Sequence, residues 1–260
     1  MVSVIIPCHN NNSTINRAVA SALGQTYEDI EVIIVDNGSD EKLRLNALIE
    51  ADPRVRIYSF ARSMNAAGAR NFGVKKARGE YIAYLDADDY WHADKLRKQM
   101  RVMLYYRYNN KAPRICFTAR RIVFKKRGTL VKGALVHTEK VVDYKRLLRT
   151  NQINCSSVLL KREDALRFPF PSGDIHEDYV VWLRILKDGG YAVGIDRPLL
   201  YYYYSKESKS GNKMHSAVMT FKVYRLLGLG FMECMMHMAT YTIEGLKKYR
   251  IDKLLHYFSI

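Results

Sequence analysis

Short apolar runs alternate four times with stretches of helical pattern over the first 90 residues, and this alternation constrains the fold most strongly. The apolar runs are rich in β-branched residues and end at proline or aspartate turns, which is typical of buried strands. Strands are predicted at residues 2–7, 30–35, 55–60 and 81–85. Helices are predicted from Asn12 or Ser13 to Leu23, after Ser39 to Ala51, and at 66–77. Short connections between these elements predict a parallel sheet with helices on both faces.

Polar side chains follow three of these four predicted strands. The first strand is followed by His9-Asn10, the second by Asp36-Asn37-Gly38, and the fourth by Asp86-Ala87-Asp88. Ligands of open α/β sheets bind beyond the carboxyl ends of the strands. The three polar clusters are therefore expected to converge on one crevice.

The remaining sequence has a less regular pattern. Helices are predicted at 94–108, 177–188 and 221–255. Strands are predicted at 114–123, 129–136, 154–160, 192–195 and 199–204. The first two of these strands flank Lys125-Lys126-Arg127-Gly128, which predicts a basic hairpin.

The positive charge is concentrated in one part of the chain. The net charge is +16, and residues 91–150 carry 17 Lys and Arg against 3 Asp and Glu. A field of this sign attracts phosphates, acidic glycans and anionic lipids. Nucleic acid is the rival partner, but the sequence has no recognition motif for it and no dense aromatic stacking pattern in the basic segment.

The location of the protein is predicted from its apolar segments and cysteines. The start of the chain has no basic segment followed by a long apolar run, so it does not resemble a signal peptide. The most apolar stretch, Leu226 to Ala239, is interrupted by Glu233 and His237 and is too short to span a bilayer. The four cysteines are widely spaced, which argues against a zinc site or a dense disulfide framework. The sequence predicts a cytoplasmic protein that could rest on a membrane surface.

The pair Asp86 and Asp88 is the first candidate for chemistry. Carboxylates two residues apart, on a turn that leaves a strand, can point together into the crevice. They suit Mg²⁺ or Mn²⁺ bound also by a diphosphate, whose departing charge the metal would neutralise. The alternative is a solvated acidic turn or a cap for the following helix.

Four further residues are candidates for binding or proton transfer. Asp36 can accept hydrogen bonds from a ribose hydroxyl or a base, although it also fits a simple turn. Arg70 can contact a phosphate or form a surface salt bridge. Glu177 and Asp178 offer a general base for a sugar hydroxyl, or they are acids that favour the first turn of a helix.

The order and spacing of five segments resemble glycosyltransferase family 2, a large family of inverting enzymes with the GT-A fold. These segments are VSVIIPCHN, EVIIVDNGS, ARN at 69–71, GEYIAYLDADDYW and HEDYVVWLRIL, over roughly residues 1–205. The resemblance is greatest to bacterial enzymes of O-antigen, capsule and lipopolysaccharide synthesis. It implies a Rossmann-like, nucleotide-binding mixed sheet flanked by helices, with a helical C-terminal extension. The implied division is a GT-A domain at 1–213, with a nucleotide-binding half at 1–90 and an acceptor-binding half at 91–213, followed by a helical extension at 214–260.

The resemblance also implies roles for individual residues. The uridine would contact Pro7, His9, Asn10 and Asp36. The sugar-nucleotide would contact Arg70, Asp86 and Ala87, and the metal would be held mainly by Asp88, with Asp86. Asp178 would be the base, and Glu177 and Trp182 would lie on the acceptor side. His215 is a candidate third metal ligand. The alternative for His215 is a histidine that is hydrogen-bonded within the protein or exposed to solvent, and the alternative for Trp182 is a packing role.

Two departures from the family pattern affect the donor site. Many relatives have Asn-x-Gly where this chain has Asn65-Ala66-Ala67, and many have an arginine near the tyrosines at 201–204. The substitutes considered for that arginine are Lys206, Lys209 and Lys213. The loop at 205–212 is expected to close over the donor.

The resulting expectation is inverting, Mn²⁺- or Mg²⁺-dependent transfer of a hexose or N-acetylhexosamine from a UDP-sugar. The acceptor would be a glycan or a lipid-diphosphate-linked glycan of the cell surface, and a homodimer and binding to the inner membrane face are both considered. A sugar nucleotidyltransferase is the alternative enzyme, but its glycine-rich phosphate loop is replaced here by Cys8-His9-Asn10-Asn11-Asn12. A basic nucleic-acid-binding protein is the alternative without catalysis.

Overall fold

The computed structural model describes residues 1–108, 112–204 and 213–257, with side chains described for 1–105, 112–204 and 214–245. The strands are β1 Val2–Cys8, β2 Ile30–Asn37, β3 Val55–Phe60, β4 Tyr81–Tyr84, β5 Tyr90–Trp91, β6 Ile115–Lys126, β7 Thr129–Val136, β8 Val141–Val142, β9 Leu159–Lys161 and β10 Ala192–Tyr203. The helices are α1 Ile15–Leu23, α2 Ala47–Glu50, α3 Asn65–Lys76, α4 Lys95–Tyr108, α5 Tyr144–Arg149, α6 Arg162–Arg167, α7 Glu177–Lys187, α8 Lys213–Leu226 and α9 Phe231–Tyr257.

The described strands form one mixed sheet in the order β3-β2-β1-β4-β9-β6-β10-β5, with β7 beside β6 and β8 beside β10. The first four strands in the chain are mutually parallel, as the alternating pattern predicts. The short strand β9 is antiparallel to both β4 and β6, and it joins this parallel half to the rest of the sheet. The mixed α/β architecture expected from the sequence is confirmed.

Both faces of the sheet are covered, because the central strands are apolar on both sides. Ile5 of β1 packs into one hydrophobic cluster with residues of α3 and α7. Its neighbours Val4 and Ile6 pack into a second cluster with residues of α1 and α4. Successive side chains of a strand point to opposite faces, so a continuous apolar run is required here.

The helix expected to end at Ala51 is much shorter than predicted, because asparagine side chains bind the preceding backbone. Asn12 accepts from the backbone N–H of Arg44 at 2.9 Å and donates to the carbonyl of Lys42 at 3.2 Å. Asn16 accepts from Asn46 N–H at 2.7 Å. These bonds hold residues 40–46 outside a helix, and α2 has a single turn. Since Asn12 is used in this way, α1 begins after Thr14 without a side-chain cap, and the predicted cap at Asn12 or Ser13 is wrong.

Three other elements differ in extent from the prediction. The strand expected at 154–160 is a short 3₁₀ turn, Cys155–Ser157, followed by β9. The two strands expected at 192–204 are one strand with irregular pairing between Ile195 and Leu200. The expected C-terminal helix is divided into α8 and α9 by a break that contains Gly228, whose φ is 82°.

The basic hairpin is confirmed as β6 and β7, which pair antiparallel. Arg127 and Gly128, with φ of 51° and 82°, form its turn, and positive φ at both central residues matches the twist of paired strands. Across the described residues, no helix has both the length and the apolar character needed to span a bilayer. The four cysteines are free and buried.

Candidate functional site

The ends of β1 and β2 are joined by a network of polar contacts. His9 Nδ1 lies 3.2 Å from the carbonyl oxygen of Asn37, and Asn10 donates its backbone N–H to Ser39 Oγ at 2.9 Å. Ser39 in turn donates its hydroxyl to Asp36 Oδ1 at 2.6 Å. Pro7 and Asp36 are buried, whereas His9 and Asn10 are exposed. The predicted nucleoside-binding residues therefore lie side by side at one edge of the sheet.

The turn after β2 requires glycine at position 38. Its φ is 73°, and a Cβ there would lie 2.7 Å from the backbone nitrogen of Ser63. The adjacent Asn37 accepts from the backbone N–H of Met64 at 2.8 Å. These contacts hold the turn against the segment that leads into α3, the helix that carries Arg70.

The acidic turn after β4 is held from three sides. Asp86 donates its backbone N–H to Ser156 Oγ at 3.0 Å, and Arg17 of α1 donates to the carbonyl of Asp88 at 2.6 Å. Asp89 accepts at Oδ1 from Tyr203 N–H of β10 at 2.8 Å. These contacts hold the backbone of the turn, and the side chain of Asp86 pairs with Arg70 of α3.

Negative charge is concentrated in this turn. Burial, followed by the charge of Asp86, raises the pKa of Asp88 to about 6. Burial and the neighbouring acids also raise the pKa of Asp89 well above its usual value. A divalent cation would relieve this repulsion, and two carboxylates leave coordination positions for diphosphate and water oxygens. The residues present therefore fit a Mg²⁺ or Mn²⁺ ion.

A cavity of about 270 Å³ brings the acidic turn and the start of α7 together. It is lined by Ala66, Arg70, Asp86, Asn154, Cys155, Ile175, His176, Glu177, Asp178, Tyr202 and Met219. The buried Arg70 forms an ion pair at 2.6 Å with the half-buried Asp86, at the wall of this cavity. Asp86, Glu177 and Asp178, which are far apart in the sequence, thus face one space. Asp36 near the end of β2, His9 and Asn10 after β1, and Asp88 of the acidic turn lie outside this lining.

Asp178 lies in the first turn of α7 and lines the cavity. Its Oδ1 accepts from the backbone N–H of Tyr179 at 2.8 Å, which orients the carboxyl group. Burial raises the pKa of Asp178 above its usual value. A carboxylate with a raised pKa is a stronger base, so this position suits the removal of a proton from a hydroxyl. His176, just before α7, contacts Ser216 Oγ of α8 at 3.0 Å and fixes the helix start.

The structure corrects the expectation for Trp182. Its side chain is fully buried, with ring centroids 6.2 Å from Tyr84 and 6.0 Å from Phe170. The indole N–H has no hydrogen-bond partner among the described residues. Trp182 therefore packs in the hydrophobic core and does not offer a surface to an acceptor.

We expect Trp182→Ala to lower the free energy of unfolding by about 3–5 kcal/mol, because it empties a large buried volume. Trp182→Phe should be much milder, since the lost N–H makes no hydrogen bond. Denaturant unfolding measures both changes. A raised acceptor KM in a stably folded Trp182→Phe variant would contradict the assignment to packing.

The structure also places His215 differently from the expectation that it is a third metal ligand. Its Nε2 lies 3.0 Å from Asp174 Oδ1, and Asp174 accepts from Lys222 Nζ at 3.2 Å as well. Within the described ranges, no group of three or more His, Cys, Asp or Glu side chains is arranged to hold a metal. Among the described residues, His215 therefore does not join Asp86 and Asp88 in such a group.

Arg17 is a residue that the sequence analysis missed. Its guanidinium lies 4.8 Å from the ring centroid of Tyr90 and 5.9 Å from that of Tyr203. It thus places positive charge beside the tyrosines where many relatives have an arginine. A single arginine on an amphipathic helix has no local pattern that would have identified it. The proposed substitutes Lys206 and Lys209, the Lys213 side chain and the loop at 205–212 lie outside the described residues.

Known proteins resemble this chain in sequence. The profile of glycosyl transferase family 2 matches residues 3–158. The chain is 33% identical over 254 residues to the UDP-Glc:alpha-D-GlcNAc-diphosphoundecaprenol beta-1,3-glucosyltransferase WfgD of Escherichia coli. That alignment covers 97% of this chain and 96% of the relative.

Two solved structures have a similar fold at low sequence identity. TarS 1–349 of S. aureus, in complex with UDP-GlcNAc, superposes with a TM-score of 0.68 at 16% identity, covering 93% of this chain and 71% of the 1–349 chain. The mannosyltransferase PcManGT of Pyrobaculum calidifontis, in complex with GDP-Man and Mn²⁺, gives 0.65 at 17% identity, covering 100% and 75%. Together with the mixed sheet, these likenesses confirm the GT-A fold expected from the sequence.

Proposed function

This chain belongs to glycosyltransferase family 2 and is a glycosyltransferase, and from that premise we propose that it transfers a sugar from a UDP-sugar to a lipid-diphosphate-linked glycan with inversion. The sugar is a hexose or N-acetylhexosamine, and the product is a cell-surface polysaccharide. The supporting observation is the cavity in which the Arg70–Asp86 pair faces Glu177 and Asp178. The nucleotidyltransferase and nucleic-acid-binding interpretations are set aside because of the family membership.

The ends of β1 and β2 bind the nucleoside in this proposal. Asp36 is buried at the strand end and accepts hydrogen bonds from the uridine, while Pro7, His9 and Asn10 form the adjacent contact surface. Uridine is preferred over guanosine because WfgD, a relative that matches nearly the whole chain, is named for UDP-Glc. The structural neighbour with GDP-Man makes guanosine the alternative to test.

Asp86 and Asp88 would hold a Mn²⁺ or Mg²⁺ ion together with the donor diphosphate. The ion supplies positive charge that stabilises the departing diphosphate. Arg70, whose guanidinium reaches the cavity and pairs with Asp86, adds charge on the same side. Ala87 is buried between the two acids and keeps the backbone of the turn against the donor.

The transfer is a single displacement at the anomeric carbon. Asp178 takes the proton of the acceptor hydroxyl while that oxygen forms a bond to the anomeric carbon. The bond between this carbon and the diphosphate oxygen breaks, and UDP leaves with the electron pair. The attack comes from the face opposite the leaving group, so the configuration inverts. Glu177 lies beside Asp178 and binds hydroxyl groups of the acceptor or the donor sugar.

The acceptor side is assigned to the part of the protein beyond residue 90. The nucleotide-binding half at 1–90, the acceptor-binding half at 91–213 and the helical extension at 214–260 remain our proposed division. The relative named above uses a diphosphoundecaprenol-linked acceptor. A lipid-linked acceptor requires the enzyme to work at a membrane, and we propose the inner face of the cytoplasmic membrane. Formation of a homodimer remains an alternative to membrane binding.

A panel of nucleotide sugars tests this function. We expect UDP-sugars, and not GDP-sugars, to give nucleoside diphosphate release in the presence of Mn²⁺ or Mg²⁺. A chelator should lower the rate by about a hundredfold or more, because a metal supplies several kcal/mol of charge stabilisation. Restored activity on adding Mn²⁺ is the control. Release from GDP-sugars alone, or a rate that is indifferent to chelator, would contradict the proposal.

A further inference from the structure

The last helix, α9, has apolar side chains on two opposite faces. On the inner face Cys234 is fully buried, and the Tyr241 ring lies 6.4 Å from that of Tyr179. On the outer face four large apolar side chains are exposed, and we call Met232, Met235, Met236 and Ile243 the outer stripe. Their exposed fractions are 74%, 49%, 63% and 52%.

The outer stripe follows from helical spacing. Its members lie at positions i, i+3, i+4 and i+11 of α9, which places them on one side of a helix. The orientation of α9 is fixed by contacts on its other side. Arg146 of α5 forms an ion pair with Glu244 at 3.2 Å, and the Tyr241 ring lies beside Tyr179 of α7. The exposed methionines are therefore a defined feature of the fold.

The stripe continues onto the neighbouring helix and approaches the cavity. Phe231, which is 62% exposed, lies with its ring centroid 6.1 Å from that of Phe221 of α8. On α8 the exposed Val218 directly precedes Met219, which lines the cavity. One helical layer thus has an apolar outer surface and also borders the space that contains Glu177 and Asp178.

The positive charge of the chain indicates what binds to the outer stripe. Residues 213–257 carry seven Lys and Arg against three Asp and Glu, and the whole chain has a net charge of +16. A second copy of the chain has the same excess positive charge and is repelled, whereas an anionic lipid surface is attracted.

We propose that the outer stripe of α9 docks this glycosyltransferase on an anionic bilayer. This inference deepens the proposed function, because it rests on a lipid-linked acceptor whose tail stays in the membrane. The layer formed by α8 and α9 lies against the lipid, so that the cavity bordered by Met219 opens close to the acceptor headgroup.

Vesicle flotation of the full chain tests the docking without any substrate. We expect binding to vesicles that contain phosphatidylglycerol and little binding to pure phosphatidylcholine. The variant M232E/M236E should lower the vesicle partition coefficient at least tenfold, because it adds two negative charges to the stripe. Both side chains are largely exposed, so folding should be kept.

The matched control is L48E/L166E, which adds the same two charges at exposed leucines on α2 and α6. It should bind vesicles within twofold of the wild type. Equal loss of binding in both variants, or no binding by the wild type, would overturn the proposal. If sedimentation shows a dimer that M232E/M236E converts to a monomer, and the wild type does not bind vesicles, the stripe is a self-association surface instead.

A separate measurement distinguishes this inference from the proposed function. UDP release with a water-soluble acceptor should be unchanged in M232E/M236E, because the stripe does not line the cavity. Loss of vesicle binding with unchanged soluble turnover supports the docking surface. No turnover in any variant, with vesicle binding intact, would instead count against the proposed transferase chemistry.

Discussion

Asp178→Asn is expected to lower turnover at least about a hundredfold, because an amide cannot accept the proton of the attacking hydroxyl. The side-chain shape is preserved, and the amide oxygen can still accept from Tyr179 N–H, as Oδ1 does now. Donor binding should therefore change little. Steady-state kinetics with a saturating UDP-sugar measure the loss, and titration with UDP measures donor affinity.

The pH dependence of the wild type provides a second readout of the same residue. The base must be deprotonated, so the rate rises with pH as Asp178 loses its proton. Because burial raises its pKa, this rise should occur at higher pH than for an ordinary aspartate. Glu177→Gln is the matched control, and it should act mainly on acceptor KM while keeping the pH profile. A profile unchanged in Asp178→Asn, with turnover retained, would exclude Asp178 as the base.

The first half of the fold could be predicted closely because its sequence pattern is simple. Strands that are buried on both faces must be continuous apolar runs, and β1 to β4 were found within about two residues of their predicted ends. The short length of the helix expected before Ala51 could not be predicted in this way. Its backbone is bound by Asn12 and Asn16, which lie about thirty residues earlier, and such contacts depend on tertiary structure.

Short elements were missed for a related reason. The strand β5 has two residues and pairs with β10 only because the chain folds back, so no local periodicity indicates it. The six-residue helices α5 and α6 are also too short for a repeating apolar pattern. Local sequence reasoning is reliable where burial is continuous and loses power where an element is defined by its partner.

In the candidate site, too, local motifs were predictable from the sequence and contacts between distant segments were not. Motifs at strand ends indicated Asp36 and Asp86, and an acidic pair at the start of a predicted helix indicated Glu177 and Asp178. Asp86, Glu177 and Asp178 lie around one cavity with Arg70. Arg17 was missed because its contact with Asp88 joins α1 to a turn 71 residues later. The family resemblance implied that Trp182 lies on the acceptor side, but its side chain is fully buried and packs near Tyr84 and Phe170.

Asp88→Ala is expected to lower turnover at least about a hundredfold by removing a ligand of the metal. The turn should remain in place, because Arg17 binds the main-chain carbonyl of this residue and Asp89 still accepts from Tyr203 N–H. The loss of turnover therefore measures the contribution of the Asp88 carboxylate alone. Turnover at increasing Mn²⁺ concentration is the measurement, and the variant should require much more Mn²⁺ for half-maximal activity.

Asp94→Asn is the matched control for Asp88→Ala, since it removes an acid six residues later that pairs with Arg97 near the start of α4. We expect it to keep turnover and Mn²⁺ dependence within about twofold of the wild type, as is usual for a surface ion pair. The two acids are close in sequence but differ in surroundings, because Asp88 is repelled by Asp86 while Asp94 is neutralised by its partner. If both variants behave alike, the acidic turn does not hold the ion, and charge stabilisation of the departing diphosphate would have to come from Arg70 without a metal.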